Sequence, residues 1–133
     1  MFNNFIAIGL YTDDFNSTAL FYRDVLKLDV KSFSLEKEFA EFTIGNITLG
    51  LISKNTAKEL LGEGGIYFKS AKIHPSFTLT VKVDSTNELF NKINNINNIK
   101  IISPPHTTSW GWNIMLFKDI NGCIWEACEL PVK

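Results

Sequence analysis

The sequence predicts an α+β domain made of two βαβββ modules with curved mixed sheets that form a cleft. Three observations predict it. A strand followed by an acidic helix start occurs twice, offset by 71 residues: Ala7 matches Thr78, Asp13 matches Asp84, Ala19 matches Phe90 and Tyr22 matches Ile93. Each helical pattern is followed by three extended segments. The last two extended segments of each set are joined by a turn rich in Gly and Asn, Gly45-Asn46 in the first copy and Asn121-Gly122 in the second. Identity between the copies is low; what repeats is the pattern.

The elements follow in order. Residues 5–12 (FIAIGLYT) alternate as a strand, with Ile6, Ile8 and Leu10 on one face and Ala7, Gly9 and Tyr11 on the other. Asp14 caps a helix running to about Leu26. Strands follow at about 29–34, 39–44 and 47–53. A short helical pattern from Thr56 to Leu61, with Asn55 as cap and Gly62 as stop, leads into a Gly-rich link at 62–65. The second copy opens with 77–83 (FTLTVKV), where Phe77, Leu79, Val81 and Val83 oppose Thr78, Thr80 and Lys82. Ser85 and Glu88 make a capping box for a helix to about Asn94. The Asn-rich run 91–98 is its fraying end plus a turn. Strands close the chain at 100–103, 112–118 and 123–129. The whole reads as one domain, 1–133, with modules at 1–54 and 73–133 joined by a linker at 55–72. The apolar faces bury against the helices, and the small, polar faces either line a concavity, for which Ala7 and Gly9 make room, or are simply wet, as one face of many antiparallel sheets is.

Composition excludes several function classes. A chain of 133 residues with 45% hydrophobic residues can build one core. A net charge of −1 with scattered basic residues leaves no footprint for nucleic acid and no membrane-binding surface. No apolar stretch approaches the ~18 residues of a membrane span. The opening Met-Phe-Asn-Asn-Phe has neither the cationic nor the apolar part of a secretion signal, so a cytoplasmic location is expected. Cys123 and Cys128 are read as buried thiols in a reducing compartment. There is no phosphate loop, nucleotide fingerprint or Cys-x-x-Cys, and Ser109 has no partners at the spacing of a hydrolase triad.

Two stretches carry a family resemblance. Asp14 to Tyr22 followed by Arg23-Asp24-Val25-Leu26 is similar to the D…FYRDVLGL helix of the vicinal oxygen chelate superfamily, with Lys27 where Gly is usual. Asp119 to Glu126 is similar to its DPDGNLIE ending, with Ile120 for Pro. The superfamily includes glyoxalase I, bleomycin and fosfomycin resistance proteins and extradiol dioxygenases. The resemblance implies the glyoxalase/bleomycin resistance/dioxygenase fold and a homodimer. It is specific for the fold, not for an activity, because folds of this kind host many.

Metal-dependent relatives place His or Gln on the first strand of each module and Glu on the last. Aligning the two Gly-Asn turns, the corresponding positions are Ala7, Leu49, Thr78 and Glu126; a register slip of one brings in Ile6, Phe77 and Thr48 or Gly50 instead. Only Glu126 is a ligand type, and a usable site needs about three. His74, followed by Pro75, and His106, in a loop after Pro104-Pro105, have no ligand spacing to each other.

Glu126 therefore has three readings: a lone acceptor for an amine or hydroxyl, a structural group bonded to a neighbouring Lys, Thr or backbone, or a metal ligand with partners from elsewhere. The segment Pro104 to Trp112 resembles the P…WG loop of bleomycin-resistance-type relatives. Its Trp110 and Trp112 either wall a pocket for a planar ligand or plug the sheet end; Trp125 is core. The expectation is a metal-free protein that binds a small, partly apolar or aromatic molecule through Tyr11, Thr78, His106, Trp110, Trp112 and Glu126. The alternatives are a divergent metal-dependent lyase or dioxygenase using Glu126, which would make Glu126 the catalytic residue, and an interaction module with a self-filled cup.

Overall fold

A computed structural model describes residues 7–61 and 78–129. The expected His74, Pro75, Gly62 stop, Gly-rich link, Ile6 and Phe77 lie outside these residues. The chain forms two compact units, Met1–Lys72 and Ile73–Lys133.

In the first unit the order is β1 (Ala7–Tyr11), α1 (Phe15–Leu20), β2 (Asp29–Ser34), β3 (Phe39–Ile44), β4 (Ile47–Ile52) and α2 (Lys54–Leu61). The sheet order is β1-β4-β3-β2, with β1 parallel to β4 and the other pairs antiparallel. In the second unit β5 (Thr78–Lys82) and α3 (Thr86–Ile93) precede β6 (Lys100–Thr107), β7 (Asn113–Lys118) and β8 (Ile124–Glu129). Its sheet order is β5-β8-β7-β6, again with one parallel pair, β5 and β8. The βαβββ order thus occurs twice.

The helices start where the sequence places caps. The Asp14 carboxylate accepts from the Ser17 N–H at 3.2 Å, and the Ser85 hydroxyl accepts from the Glu88 N–H at 3.1 Å. Beyond Leu20 the first helix widens into a π-type turn, Phe21–Val25, in which the Leu26 N–H bonds the Phe21 carbonyl. It ends at Lys27 with φ +57°, the left-handed stop that glycine supplies most cheaply. The short linker helix differs from expectation: it begins at Lys54, and its cap is Ser53, whose hydroxyl accepts from the Thr56 N–H at 3.2 Å, rather than Asn55.

Alternation holds in both sheets. Leu10, Phe42, Leu49 and Leu51 are buried with Phe15, Ala19 and Tyr22 of the first helix, while Ala7 and Gly9 are exposed. The Tyr22 and Phe42 rings meet edge to face, centroids 5.9 Å apart. In the second unit Met115, Phe117, Trp125 and Ala127 are buried with Ile93 of α3, and the Phe117 and Trp125 rings stack at 6.3 Å.

Two expectations are corrected. Leu49 does not stand where Glu126 stands: it pairs with Ile8 and is 2% exposed in the core. The reason is loop length. β3 and β4 are joined by two residues, Gly45-Asn46, between the paired Ile44 and Ile47. The β7–β8 connection has three, Ile120 to Gly122, closed by the Asp119 N–H on the Cys123 carbonyl. One extra residue reverses every side chain beyond it, so Gly50 is the counterpart of Glu126 and Leu49 that of Trp125. His106 is likewise not in a loop; β6 extends through it, with ladder irregularities between Ile101 and Ser103 and between Ser103 and His106.

Candidate functional site

The site is built on the face of the second sheet turned away from α3. Its middle row crosses all four strands: Thr80, Glu126, Leu116 and Ser103 are successive ladder partners. The next row is Lys82, Cys128, Ile114 and His106. Adjacent strands lie about 4.8 Å apart, so Glu126 and the β6 side chains stand roughly 10 Å from one another across a surface of mixed character.

Glu126 is half-buried, and one carboxylate oxygen accepts from the Thr80 hydroxyl at 3.0 Å. A carboxylate offers about four acceptor positions, so one bond to Thr80 orients the group without exhausting it. Thr78 shares the face but pairs with Ile124, one row away from Glu126. The partner of Glu126 on the first strand is therefore Thr80, a residue that the turn-based alignment passes over.

His106 is held by contacts within its own strand. Its Nδ1 lies 2.8 Å from the Pro104 carbonyl oxygen and 3.1 Å from the Ser103 hydroxyl. A carbonyl has no proton to give, so the Pro104 contact is a hydrogen bond in the form that carries its hydrogen on Nδ1, and that form leaves an acceptor lone pair on Nε2. In that form the ring cannot take a proton from Ser103 through Nδ1, and Ser103 is not a nucleophile activated by His106. What His106 offers is an acceptor at Nε2.

The two Trp differ in placement. The Gly111 N–H bonds the Thr108 carbonyl at 3.0 Å, the Thr108 N–H bonds the Trp112 carbonyl at 2.8 Å, and Gly111 has φ +89°. This is a three-residue hairpin loop closed by a glycine bulge, the same build as the Asp119–Cys123 loop. Trp110 sits in the loop, 65% exposed; Trp112 is 37% exposed and two residues before Ile114, hence on the face of Glu126 and His106. Neither is a core plug. Tyr11 belongs to the first unit, half-buried on the face it shares with Gly9.

Asp119, a turn residue of the Asp119 to Glu126 motif, does more than make the turn. It is 2% exposed, and its carboxylate accepts from the Asn121 and Cys123 N–H groups and the Trp125 indole N–H, each at 2.9 Å. It ties the loop to the core and fixes the start of β8, and so the direction in which Glu126 points. Cys128, 3% exposed on the Glu126 face, has its thiol pKa pushed up by burial and then by the Glu126 charge and hydrogen bond.

Among the described residues no three His, Cys, Asp or Glu side chains are grouped to hold a metal ion. Around Glu126 the ladder neighbours are Thr80 and Leu116, one neutral hydroxyl and one hydrocarbon, which do not fit the charged or imidazole set of a transition ion.

The profile of the glyoxalase-like domain family matches residues 5–130. The chain belongs to that family. A relative in Bacillus subtilis (strain 168), the uncharacterized protein YraH, is 26% identical over 115 residues, 86% of this glyoxalase-like chain and 88% of the relative. A glyoxalase/bleomycin resistance protein/dioxygenase family enzyme from Burkholderia phytofirmans PsJN superposes with a TM-score of 0.74 at 17% identity, covering 94% of this chain and 97% of that one. Lactoylglutathione lyase from Agrobacterium tumefaciens superposes with a TM-score of 0.66 at 20% identity, covering 96% and 93%. Family membership and the vicinal oxygen chelate fold follow; at these identities the solved structures speak for the fold alone.

Proposed function

We propose that this glyoxalase-like protein binds a small, partly aromatic molecule on the Glu126 face of its second sheet, without a metal ion. The observation that carries the reading is the bond from Thr80 to Glu126. It gives the carboxylate a neutral partner and leaves acceptor positions for an amine or hydroxyl of the ligand. His106 Nε2 is a second acceptor, Trp112 supplies a flat apolar wall on the same face, and Trp110 adds an exposed ring from the adjoining loop. A ligand with donor groups at two points and a planar body between them matches this arrangement. The protein is expected to act in the cytoplasm, as a homodimer.

Two measurements test the reading. Elemental analysis of protein purified without chelator should find far less than one transition ion per chain; an equimolar ion would replace this reading with metal-dependent chemistry at Glu126. Trp fluorescence titrated with aromatic amines and phenols should change on binding, and Glu126→Gln should weaken affinity by about tenfold, as loss of a charge-assisted hydrogen bond does. Emission unchanged across such a panel would remove its support.

A further inference from the structure

The equivalent face of the first sheet holds a second carboxylate in the equivalent row. That row is Gly9, Gly50, Glu41 and Ser32, where the second sheet has Thr80, Glu126, Leu116 and Ser103. Glu41 is half-buried, accepts from the Ser32 hydroxyl at 3.0 Å, and has no ion pair among the described residues.

Gly50 beside it has no local explanation. Glycine in the interior of a strand weakens the sheet and marks a bulge, a bend or a close approach. Gly9 is accounted for, because a Cβ there would stand 2.7 Å from Cδ1 of Ile52. At Gly50 no atom of the described residues lies within 4 Å of where a Cβ would stand, its φ is not positive, and the β3–β4 ladder is regular through it. The missing side chain leaves bare backbone next to Glu41.

A third feature faces the same place. The β2 ladder shifts between Val30 and Ser32, leaving Lys31 as the unpaired residue. Such bulges re-aim side chains. Lys31 reaches over β3 to the Thr48 hydroxyl on β4, 3.3 Å from its ammonium. Thr48 is two residues from Gly50. The bare backbone thus has a carboxylate on one side, an ammonium beyond Thr48, and Tyr11, Ile52 and Phe39 in the row at its other end.

We infer that this face of the first unit is a binding site for a zwitterionic small molecule with a flat apolar part, an aromatic amino acid in chemical class. The planar group lies on the backbone of Gly50, the ammonium goes to Glu41, and the carboxylate goes to Lys31.

The test is an amide NMR titration of the full chain with L-tryptophan, tryptamine and indole-3-propionate. L-tryptophan should shift the amides of Gly9, Glu41 and Gly50. Tryptamine, which lacks the carboxylate, and indole-3-propionate, which lacks the amine, should each bind about tenfold more weakly. Glu41→Gln should weaken L-tryptophan about tenfold and leave indole-3-propionate unchanged. Gly50→Val fills space that is open and suits a strand, so the protein should keep its fold and melting temperature while losing the site. The inference fails if no amide shifts up to roughly 10 mM ligand, or if Glu41→Gln and Gly50→Val bind L-tryptophan as the parent does. It also fails if the shifts fall only on β5 and β8 amides, an outcome that would leave the Glu126 reading standing.

Discussion

Asp119 concentrates more structural consequence than any other single side chain in the site. It satisfies two backbone donors of the β7–β8 loop and the indole of Trp125 from a position 2% exposed. Hydrogen bonds to a charged acceptor contribute about 1.5–3 kcal/mol each, and a buried donor left unmade costs further. Asp119→Ala should lower unfolding free energy by about 3 kcal/mol or more in urea titrations, with Asp119→Asn between that and the parent. A loss within about 0.5 kcal/mol, the range of ordinary surface substitutions, would show that the loop holds β8 by other means. Lys27 gives the opposite sign. Its φ of +57° strains any side chain, and Lys27→Gly should stabilise by about 1 kcal/mol. Both residues were visible in the sequence, one inside a motif and one as a departure from it. Only the structure shows that the first carries buried bonds and the second a left-handed backbone.

At the scale of elements, the contact between β8 and α3 makes a pH-sensitive clasp. Glu129, at the end of β8, accepts from both the backbone N–H and the hydroxyl of Thr86 in the first turn of α3. The helix N-terminus favours negative charge. Those bonds hold the Glu129 carboxyl below the usual Glu range, the Thr86 N–H contributing most and the hydroxyl next. A depressed folded-state pKa means that stability from this group is complete above the unfolded value of about 4.3 and is lost as pH falls through the lower folded value. Glu129→Gln should therefore lower the melting temperature at pH 7 and bring it closer to the parent's as the pH approaches 3. A melting difference that stays constant from pH 7 to 3 would contradict the assignment. The helix caps at Asp14 and Ser85 were legible because capping depends on residues three apart. The Glu129 clasp was not, because 43 residues separate it from Thr86. The same limit explains Leu49: strand existence is local, but which face a residue takes depends on whether a loop holds two residues or three.

At the scale of the whole molecule, the repeat was the most readable property and the site the least. The two βαβββ copies follow from alternation, caps and turns, whereas the order of strands within each sheet does not. The rows across each sheet follow from the pairing of distant strands, and they put Glu126 beside Thr80 and Glu41 beside Gly50. The copies have kept the architecture while placing their carboxylates on different strands, β8 in one and β3 in the other. The equivalent positions of the two copies carry Gly9 and Gly50 in one and Thr80 and Glu126 in the other, and of these four only Glu126 is of a type that ligates a transition ion. This has a thermodynamic consequence that does not depend on any activity. A ligand that binds only the folded state at one hundred times its dissociation constant stabilises by about 2.7 kcal/mol. For a chain of this size that is a rise in melting temperature of roughly 5–10 °C. Zinc, nickel or manganese added in excess should leave the melting temperature within about 1 °C of a chelator-treated control, whereas a binding small molecule should raise it. A rise of several degrees with one of these ions, abolished by Glu126→Ala, would place a metal at the very carboxylate that Thr80 now orients.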